Sequence, residues 1–436
     1  MRMSPQRPML SLFIILVSLG SSLGSYQENK LQQTNAHRRL MKASHEHLTL
    51  TTKAARLTLA VSGSAAGTVN VEKFGAKGGD GGDDTQAFEK AWNEACSKGA
   101  VLVVPEKKIY HVKPITFSGP CQPNSGFRVY GTIKAWPRRE AYEEDRSHWI
   151  VFENINNFTV DGGGTINGNG RKWWQNSCKV NKNLPCKVAP TAVTFQECKN
   201  LRVKNLRVKN AQQMHLSFEK CFNVRVSNLV VRAPESSPNT DGIHVTATQN
   251  ILISNSVIRT GDDCISIVNG SKNVLATDIT CGPGHGISIG SLGAGNSEAA
   301  VSDVVVNRAK LTGTTNGVRI KTWQGGSGYA KNIKFLNISM KNVSNPIIID
   351  QNYCDQEESC PEQKSAVQLS NVVYQNIKGT SASEVAIKFD CSRTVPCREI
   401  YVQDVILKPE GSGDAIASCE NVRFINRGKF LPQCTT

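Results

Sequence analysis

The feature that most limits how this chain can fold is a short frame that recurs along most of its length. In this frame, Asn or Asp is followed by an apolar residue three positions later and usually by another eight positions later. The frame begins at Asn157, Asn200, Asn223, Asn250, Asn273, Asp303, Asn332, Asn371 and, more loosely, Glu399. From Asn200 onward the spacings are 23, 27, 23, 30, 29, 39 and 28 residues, and the 43 residues from Asn157 to Asn200 leave room for two turns. A period in this range is typical of a solenoid.

Each repeat contains two or three short β-type runs and no helical pattern, so one repeat alone cannot bury its apolar faces. Stacking the repeats buries all of them, with strands about 4.8 Å apart from coil to coil. We therefore predict an all-β fold, a right-handed parallel β-helix of about ten coils. A Greek-key sandwich is disfavoured, because tight-hairpin signals are lacking and the frame is constant. The recurring Asn residues are expected to form ladders at the coil corners.

A helical pattern precedes the first coil. Apolar residues recur there at helical spacing and predict an amphipathic helix over about 84–97: Ala87, Phe88, Ala91, Trp92, Ala95 and Cys96. Asp83 and Gln86 have the spacing of a capping box at its start. We expect this helix to cap the open end of the solenoid.

The N-terminal segment indicates export. Arg2 and Arg7 precede the apolar run from Met9 to Gly20, and small residues follow up to Gly24. This pattern predicts a secretory signal peptide over residues 1–24. The run is too short to span a membrane, and no later apolar stretch is long enough. Residues 25–67 are polar and are predicted to form a flexible leader or a removable prosequence, which leaves 68–436 as the parallel β-helix domain.

The fourteen cysteines fit the same oxidising route. They lack the C-x-x-C pairs of metal sites. Short local loops predict disulfides between the following partners: Cys264 and Cys281, Cys354 and Cys360, Cys391 and Cys397, Cys419 and Cys434, with Cys178–Cys186 and Cys96–Cys121 as further pairs. Cys198 and Cys221 each precede a repeat Asn by two residues, so we expect them to stack on adjacent coils as buried free thiols. Four Asn-x-Ser/Thr sequons mark glycosylation candidates: Asn157, Asn269, Asn337 and Asn342.

The chain is basic, with a formal net charge of +15. A basic secreted protein tends to associate with anions. Nucleic acid is disfavoured as the partner, because the sequence has no basic-aromatic motif of a nucleic-acid-binding module. An acidic polysaccharide of the cell wall is the other candidate.

Aligning the strand that precedes each Asn frame brings charged residues together. The first apolar residues of these strands are Ile243, Ile265, Ile287, Val318 and Ile347. Two positions earlier lie Asp241, Asp263 and His285, and one position later lie His244, Ser266, Ser288 and Arg319. Stacking about 4.8 Å apart predicts one line of Asp241, Asp263 and His285 along a face of the solenoid. Asp262 sits beside Asp263, and Arg319 and Lys321 alternate onto one face of the next coil.

Packed carboxylates have strongly coupled pKa values, so one can keep a proton at mildly acidic pH while another is ionised. Such an arrangement suits glycoside hydrolysis, in which one carboxylic acid protonates the leaving oxygen and a carboxylate activates water. A single Asp in a solenoid turn is more often a turn or cap residue. Alignment of several acids on neighbouring coils is not expected of independent turn residues and favours a catalytic site.

These residues resemble a known family. Four ordered motifs are similar to those of the plant polygalacturonases, which are family 28 glycoside hydrolases: NTD at 239–241, GDD at 261–263, GHG at 284–286 and RIK at 319–321. The similarity also includes VEKFGAKGGDGGDDTQAF, VDGGGTINGNGRKWW and NYC at 352–354, and it covers roughly residues 68–436.

The resemblance implies hydrolysis of α-1,4 bonds in polygalacturonic acid, the backbone of de-esterified pectin, with inversion of configuration. Carried over by position, Asp262 is the general acid, and Asp241 and Asp263 hold and deprotonate the water. His285 keeps the acid protonated and oriented.

The resemblance also implies that Arg319 and Lys321 bind the substrate carboxylate and that Asn239 and Tyr353 line the subsites. It implies no metal and no cofactor. The expected protein is a monomer of the cell wall or apoplast whose partners are pectin and the polygalacturonase-inhibiting proteins of the wall.

Several alternatives stay open. A pectate or pectin lyase on the same fold would use Ca²⁺ held by carboxylates, whereas here cations lie beside the acids. An inactive wall-binding solenoid would be expected to lack one of Asp241, Asp262 and Asp263. A rhamnogalacturonan hydrolase or an exo-acting polygalacturonase is a nearer alternative. We favour internal cleavage, because no long insertion that would close one end of the cleft is evident in the sequence.

Overall fold

The computed structural model describes residues 67–79, 81–355 and 360–434. The predicted signal peptide and the predicted leader up to residue 66 lie outside the described residues. Two α-helices are present among the described residues, α1 over Thr85–Lys98 and α2 over Arg171–Gln175. Strands make up most of the remainder.

The strands of the first coils are β1 Thr68–Asn70, β2 Val101–Val104, β3 Ile109–Val112, β4 Ile115–Ser118, β5 Gly126–Val129, β6 Thr132–Ala135, β7 His148–Glu153, β8 Thr159–Asp161 and β9 Thr165–Asn167. The middle coils contain β10 Thr191–Gln196, β11 Lys199–Lys204, β12 Arg207–Lys209, β13 Leu216–Glu219, β14 Phe222–Ser227, β15 Val230–Arg232, β16 Ile243–Thr246, β17 Gln249–Arg259, β18 Ile265–Ile267, β19 Lys272–Cys281 and β20 Ile287–Leu292. The last coils contain β21 Glu298–Thr312, β22 Asn316–Thr322, β23 Ser327–Val343, β24 Asn345–Asp350, β25 Gln368–Ser381, β26 Val385–Asp390, β27 Cys397–Pro409, β28 Ile416–Glu420 and β29 Val422–Leu431.

These strands form two long parallel sheets that wind together as a right-handed parallel β-helix, as predicted. One sheet has eleven strands in the order β4, β7, β10, β13, β16, β18, β20, β22, β24, β26 and β28. Its register confirms the alignment made from the sequence, since Ile243 pairs with Ile265, which pairs with Ile287, which pairs with Val318, which pairs with Ile347. The other sheet has eighteen strands.

The repeat asparagines form the predicted ladders. Asn223 Nδ2 donates to Asn200 Oδ1 over 2.6 Å, and Asn273 Nδ2 donates to Asn250 Oδ1 over 2.7 Å. The backbone at these residues is left-handed, with φ from +56° to +59°. Among side-chain-bearing residues, Asn adopts this conformation most readily. The frame therefore marks a corner where each coil turns, and the amide ladder links successive turns.

Aromatic side chains stack inside the solenoid in the same register. Phe195 lies between Phe152 and Phe218, with ring centroids 5.2 and 5.1 Å apart and interplanar angles of 11° and 8°. All three are buried. Parallel in-register pairing thus places like side chains above one another, so each coil packs its apolar face against the next.

Helix α1 covers the open end of the first coil, as predicted. Trp92 is buried there, and its ring lies 5.3 Å from that of Phe117. The predicted capping box is wrong, because the helix begins at Thr85 and its N-cap is Asp84. The Asp84 carboxylate instead accepts hydrogen bonds from the backbone N–H groups of Lys77 and His111, and it thereby fastens the segment before the helix to the first coil.

The interval between Asn157 and Asn200 holds one coil, where the sequence left room for two. Strand β8 pairs directly with β11, and Asn200 Nδ2 donates to Asn157 Oδ1 over 3.0 Å. The additional residues, roughly 168–190, leave the coil and contain α2 and the Cys178–Cys186 disulfide. A long interval between frames can therefore be an excursion.

All six predicted disulfides are present. Cys198 and Cys221 are buried free thiols, as predicted, and they lie on adjacent coils because Lys199 pairs with Phe222. The four sequon side chains are exposed, but the amides of Asn157, Asn269 and Asn337 already take part in hydrogen bonds. Glycosylation at the four sequons stays a prediction. Over the described residues, no helix has both the length and the apolar character needed to cross a membrane.

Candidate active site

A cavity of about 480 Å³ opens beside the starts of β16, β18, β20 and β22. All eight predicted site residues line it: Asn239, Asp241, Asp262, Asp263, His285, Arg319, Lys321 and Tyr353. The loops that precede these strands supply the acids and the histidine. Stacking of successive coils, predicted from the repeat, thus brings together residues more than 100 positions apart.

Asp241 is fixed by a serine of the next coil. Ser266 Oγ donates to Asp241 Oδ2 over 2.7 Å, and His244 Nδ1 lies 2.7 Å from the same Oγ. If His244 carries its proton on Nδ1, it donates to Ser266, and the three groups form a chain that ends on the carboxylate. This chain orients Asp241 toward the cavity.

Asp263 has the same arrangement one coil later. Ser288 Oγ donates to Asp263 Oδ1 over 2.7 Å. Arg319 Nη2 also donates to Oδ1 over 2.9 Å, and Lys321 Nζ donates to Oδ2 over 3.2 Å. Arg319 Nε in turn donates to Ser288 Oγ over 3.0 Å. The two cations predicted to bind a substrate carboxylate therefore bind the Asp263 carboxylate in the free protein.

Asp262 is paired with His285. His285 Nδ1 lies 3.0 Å from Asp262 Oδ1, and the backbone N–H of Asp263 donates to the same oxygen over 2.8 Å. Asn239 Nδ2 donates to Asp262 Oδ2 over 3.4 Å. Asn239 was predicted to line a subsite, and it also contacts the predicted acid. Gly286 follows His285 with φ of +83°, and a Cβ there would lie 2.0 Å from the Asn316 carbonyl oxygen, so only glycine fits.

Asp262, Asp263 and His285 influence one another's protonation through their charges. The hydrogen bond to Asp262 raises the pKa of His285 above its ordinary value. Burial acts to raise the pKa of Asp262, but the hydrogen bond from His285 and its positive charge outweigh burial, so the pKa of Asp262 is lowered. Burial raises the pKa of Asp263, although Arg319 and Lys321 act in the opposite direction. In the free protein at mildly acidic pH, the proton shared by Asp262 and His285 therefore lies on the imidazole.

This arrangement suits acid–base catalysis. The Asp262–His285 pair shares a proton that can be donated, and Asp241 and Asp263 are two oriented carboxylates on adjacent coils. Asp262, Asp263 and His285 also have ligand atoms within 4.8 Å of one another. However, Arg319 and Lys321 occupy both oxygens of Asp263 and would repel a divalent cation, so the charges around these three residues disfavour a metal site.

Tyr353 forms one wall of the cavity. Its ring meets that of Trp323 edge to face, with centroids 5.3 Å apart, and Lys321 Nζ lies 5.4 Å from the Tyr353 ring centroid. Burial raises the pKa of the Tyr353 hydroxyl to about 12. The hydroxyl therefore stays neutral and can donate a hydrogen bond in the cavity.

The sequence prediction missed some lining residues. Ser266 and His244 line the cavity, and Ser288 is buried with its hydroxyl bonded to Asp263. All three lie in the row one position after the first apolar residue of each strand, so the alignment held the signal for them. Lys179 and Asp355 also line the cavity, but they come from irregular loops outside the repeat frame. No periodic signal could have identified them.

Residues 96–430 match the family described as Glycosyl hydrolases family 28. The chain is 58% identical over 376 residues to Polygalacturonase QRT2 of Arabidopsis thaliana, covering 85% of each chain. It is 61% identical over 355 residues to a polygalacturonase of Persea americana, covering 81% of this chain and 77% of that protein. It is 52% identical over 420 residues to Polygalacturonase ADPG1 of Arabidopsis thaliana, covering 95% of this chain and 93% of that protein.

Two solved structures share the fold. The polygalacturonase from Erwinia carotovora superposes with a TM-score of 0.69 at 22% identity, covering 84% of this chain and 98% of that one. The exopolygalacturonase from Thermotoga maritima superposes with a TM-score of 0.68 at 24% identity, covering 82% of this chain and 91% of that one. At these identities, the likeness shows the parallel β-helix alone.

Proposed function

The chain belongs to family 28 of the glycosyl hydrolases, and from this membership we propose that it hydrolyses the α-1,4-galacturonosyl bonds of de-esterified pectin. The observation that carries the proposal is the cavity itself, where Asp241, Asp262 and Asp263 lie with Arg319 and Lys321. The three acids can supply the proton donor and the base that glycoside hydrolysis needs. The two cations can bind the carboxylate of a uronate. The names of the related plant proteins support the same substrate.

Proton donation falls to the Asp262–His285 pair. Substrate binding displaces water from the cavity, and in that drier site a neutral pair becomes more favourable than an ion pair. The proton then moves from His285 Nδ1 to Asp262, which delivers it to the glycosidic oxygen as the bond from the anomeric carbon to that oxygen breaks. His285 thus supplies and orients the proton, and Asp262 transfers it.

Water activation falls to Asp241 and Asp263. Adjacent coils space the backbones of Asp241 and Asp263 about 4.8 Å apart, so one water molecule can lie between the two side chains. The water attacks the anomeric carbon from the face opposite the leaving oxygen and loses a proton to this pair. Attack from that face inverts the anomeric configuration.

Recognition of the uronate falls to Lys321 and Arg319, with Tyr353 and Asn239 beside them. A guanidinium has five N–H donors and an ammonium has three, so both cations can bind a second carboxylate while holding Asp263. These bonds also couple substrate binding to catalysis, because a substrate carboxylate bound by the two cations changes the electrostatic field at Asp263. A neutral methyl ester would lose this attraction.

We further propose internal cleavage by a secreted monomer of the cell wall. Six disulfides support an oxidising compartment. The sequence suggested no long insertion near the cleft, but the excursion at 168–190 and the loop after β24 both reach it. Over its described residues, neither segment forms a β-strand across the cavity, and on this ground we propose internal cleavage.

The test is product analysis with purified protein and polygalacturonate. We expect new reducing ends without ultraviolet-absorbing unsaturated ends, and NMR of the first product should detect the inverted anomer. Viscosity should fall well before many reducing ends appear. Unsaturated products would instead identify a lyase. Release of monomer at nearly constant viscosity would identify exo action. Activity only on rhamnogalacturonan would show that the proposed substrate is wrong.

A further inference from the structure

One ion pair joins two loops that leave the solenoid far apart. The loop containing Lys179 precedes β10, and the loop containing Asp355 follows β24. These strands are six places apart in the eleven-stranded sheet, which is about 29 Å at the spacing between strands. Lys179 Nζ nevertheless lies 3.0 and 3.1 Å from the two carboxylate oxygens of Asp355. The loops therefore lean toward each other above the coils that contain the catalytic acids.

The pair lies at the edge of the active site. Both Lys179 and Asp355 line the cavity that contains the acids. Lys179 also lines a neighbouring cavity of about 260 Å³, together with Trp174, Lys187 and Arg139. Lys179 thus lies where the two cavities meet, and three cations and the indole rings of Trp173 and Trp174 line the second cavity.

The pairing is one that a ligand can replace. The side chains of Lys179 and Asp355 are 48% and 55% exposed. Exposed ion pairs contribute little to stability, because water solvates both partners almost as well. A carboxylate from a polyanion in the cleft can therefore take the place of Asp355 on the ammonium group. Disulfides hold each residue near the cavity, since Cys178 and Cys354 are their chain neighbours.

We propose that Lys179 binds the carboxylate of a uronate residue away from the scissile bond, and that Asp355 occupies this cation when the cleft is empty. The inference rests on the proposed function and adds a specificity-determining residue to it. Asp355 also places a negative charge beside the path of an acidic polymer. Binding of the polymer then exchanges an internal carboxylate for a carboxylate of the substrate.

The two partners are expected to have opposite effects. Lys179→Gln should raise KM for polygalacturonate by about five- to tenfold with little change in kcat, because a contact made equally in the ground and transition states is lost. Asp355→Asn should lower KM by about two- to fivefold, because the competing carboxylate is gone. Neither change should alter the acid limb of the pH–rate profile.

A matched control is the exposed pair of Lys220 and Glu197, with 3.3 Å between Nζ and Oε1, which lines neither cavity. Lys220→Gln and Glu197→Gln should leave KM unchanged. If Lys179→Gln and Asp355→Asn both raise KM and both lower the melting temperature, the pair is only a structural link between loops. If neither variant changes KM, the inference is wrong.

Two measurements separate this inference from the proposed function. Wild-type protein that releases no reducing ends from polygalacturonate would overturn the function. Equilibrium binding of polygalacturonate, followed by tryptophan fluorescence, tests Lys179 without turnover when the wild-type chain and both variants also carry Asp262→Asn. Tighter binding by Asp355→Asn and weaker binding by Lys179→Gln support the inference. Equal affinities of both variants and wild type refute it even if the enzyme is active.

Discussion

Replacing Ser288 with Ala tests how the active site keeps a buried carboxylate ionised. Ser288 is fully buried, and its hydroxyl donates to Asp263 over 2.7 Å. Hydrogen bonds to a charged group contribute about 1.5–3 kcal/mol, and one pKa unit corresponds to about 1.36 kcal/mol. Deleting the donor should therefore raise the pKa of Asp263 further, by about one to two units.

The sign of the effect on activity follows from the proposed role of Asp263 as a base. Asp263 acts only when ionised, so a higher pKa moves the acid limb of the kcat/KM profile toward neutral pH by the same amount. Activity at low pH should fall about ten- to a hundredfold. Activity on the alkaline side of the limb should change much less, because Arg319 and Lys321 still hold the carboxylate.

The assay is the pH dependence of kcat/KM on polygalacturonate, which reports groups of the free enzyme. The control is Thr194→Val in the same sheet, since the buried Thr194 hydroxyl has no hydrogen-bond partner among the described residues. That control should leave the limb in place. An acid limb of Ser288→Ala that coincides with the wild-type limb, whatever the overall rate, would refute the reasoning.

Four further predictions concern the same site and the cysteines. Asp262→Asn should lower turnover by about 10²–10⁴-fold with folding intact, measured by reducing-end release and circular dichroism. Arg319→Ala should lose more activity on polygalacturonate than on a highly methyl-esterified chain, measured as the ratio of kcat/KM values. His285→Gln should lower the melting temperature most between about pH 3.8 and 6.5, because the ion pair with Asp262 is complete above the ordinary Asp pKa and below the ordinary His pKa. Peptide mapping without reduction should recover Cys198 and Cys221 as free thiols.

Each of these has an outcome that contradicts it. If Asp262→Asn keeps more than about half of the wild-type rate, Asp262 is not the proton donor. Equal losses on both substrates for Arg319→Ala would indicate that Arg319 serves only to hold Asp263. A melting-temperature loss independent of pH for His285→Gln would indicate packing alone. A crosslink between Cys198 and Cys221 would mean that these neighbouring thiols are oxidised and that the free-thiol prediction is wrong.

The central part of the site could be predicted because it obeys the repeat. Ile243, Ile265 and Ile287 are the first apolar residues of their strands, and in-register stacking then fixes where Asp241 and Asp263 lie. Each pleat reverses the side-chain direction, so a slip of one residue would have sent these side chains to the opposite face. The buried aliphatic residues of the solenoid exclude that slip. The register could therefore be predicted from this sequence alone.

Two kinds of feature could not be predicted. One is a segment that leaves the repeat, and the other is a cation that can bind either a neighbouring carboxylate or the substrate. The length between Asn157 and Asn200 did not distinguish an added coil from an excursion, since both fit 43 residues. The spacing of Arg319 and Lys321 placed them beside the acids but did not show that they bind Asp263 when no substrate is present. That choice depends on distances of 2.9 and 3.2 Å between side-chain atoms.

The stacking of like side chains from coil to coil also shapes how the molecule loses activity. Each coil of a solenoid contacts only its neighbours, so unfolding can begin at an end and advance one coil at a time. Asp241, the Asp262–Asp263 pair and His285 come directly before β16, β18 and β20, in the middle of the eleven-stranded sheet. Fraying of the outer coils on heating leaves these strands paired on both sides. On heating, loss of activity should therefore occur at a higher temperature than the first loss of β-sheet signal. Inactivation is expected when unfolding reaches the central coils.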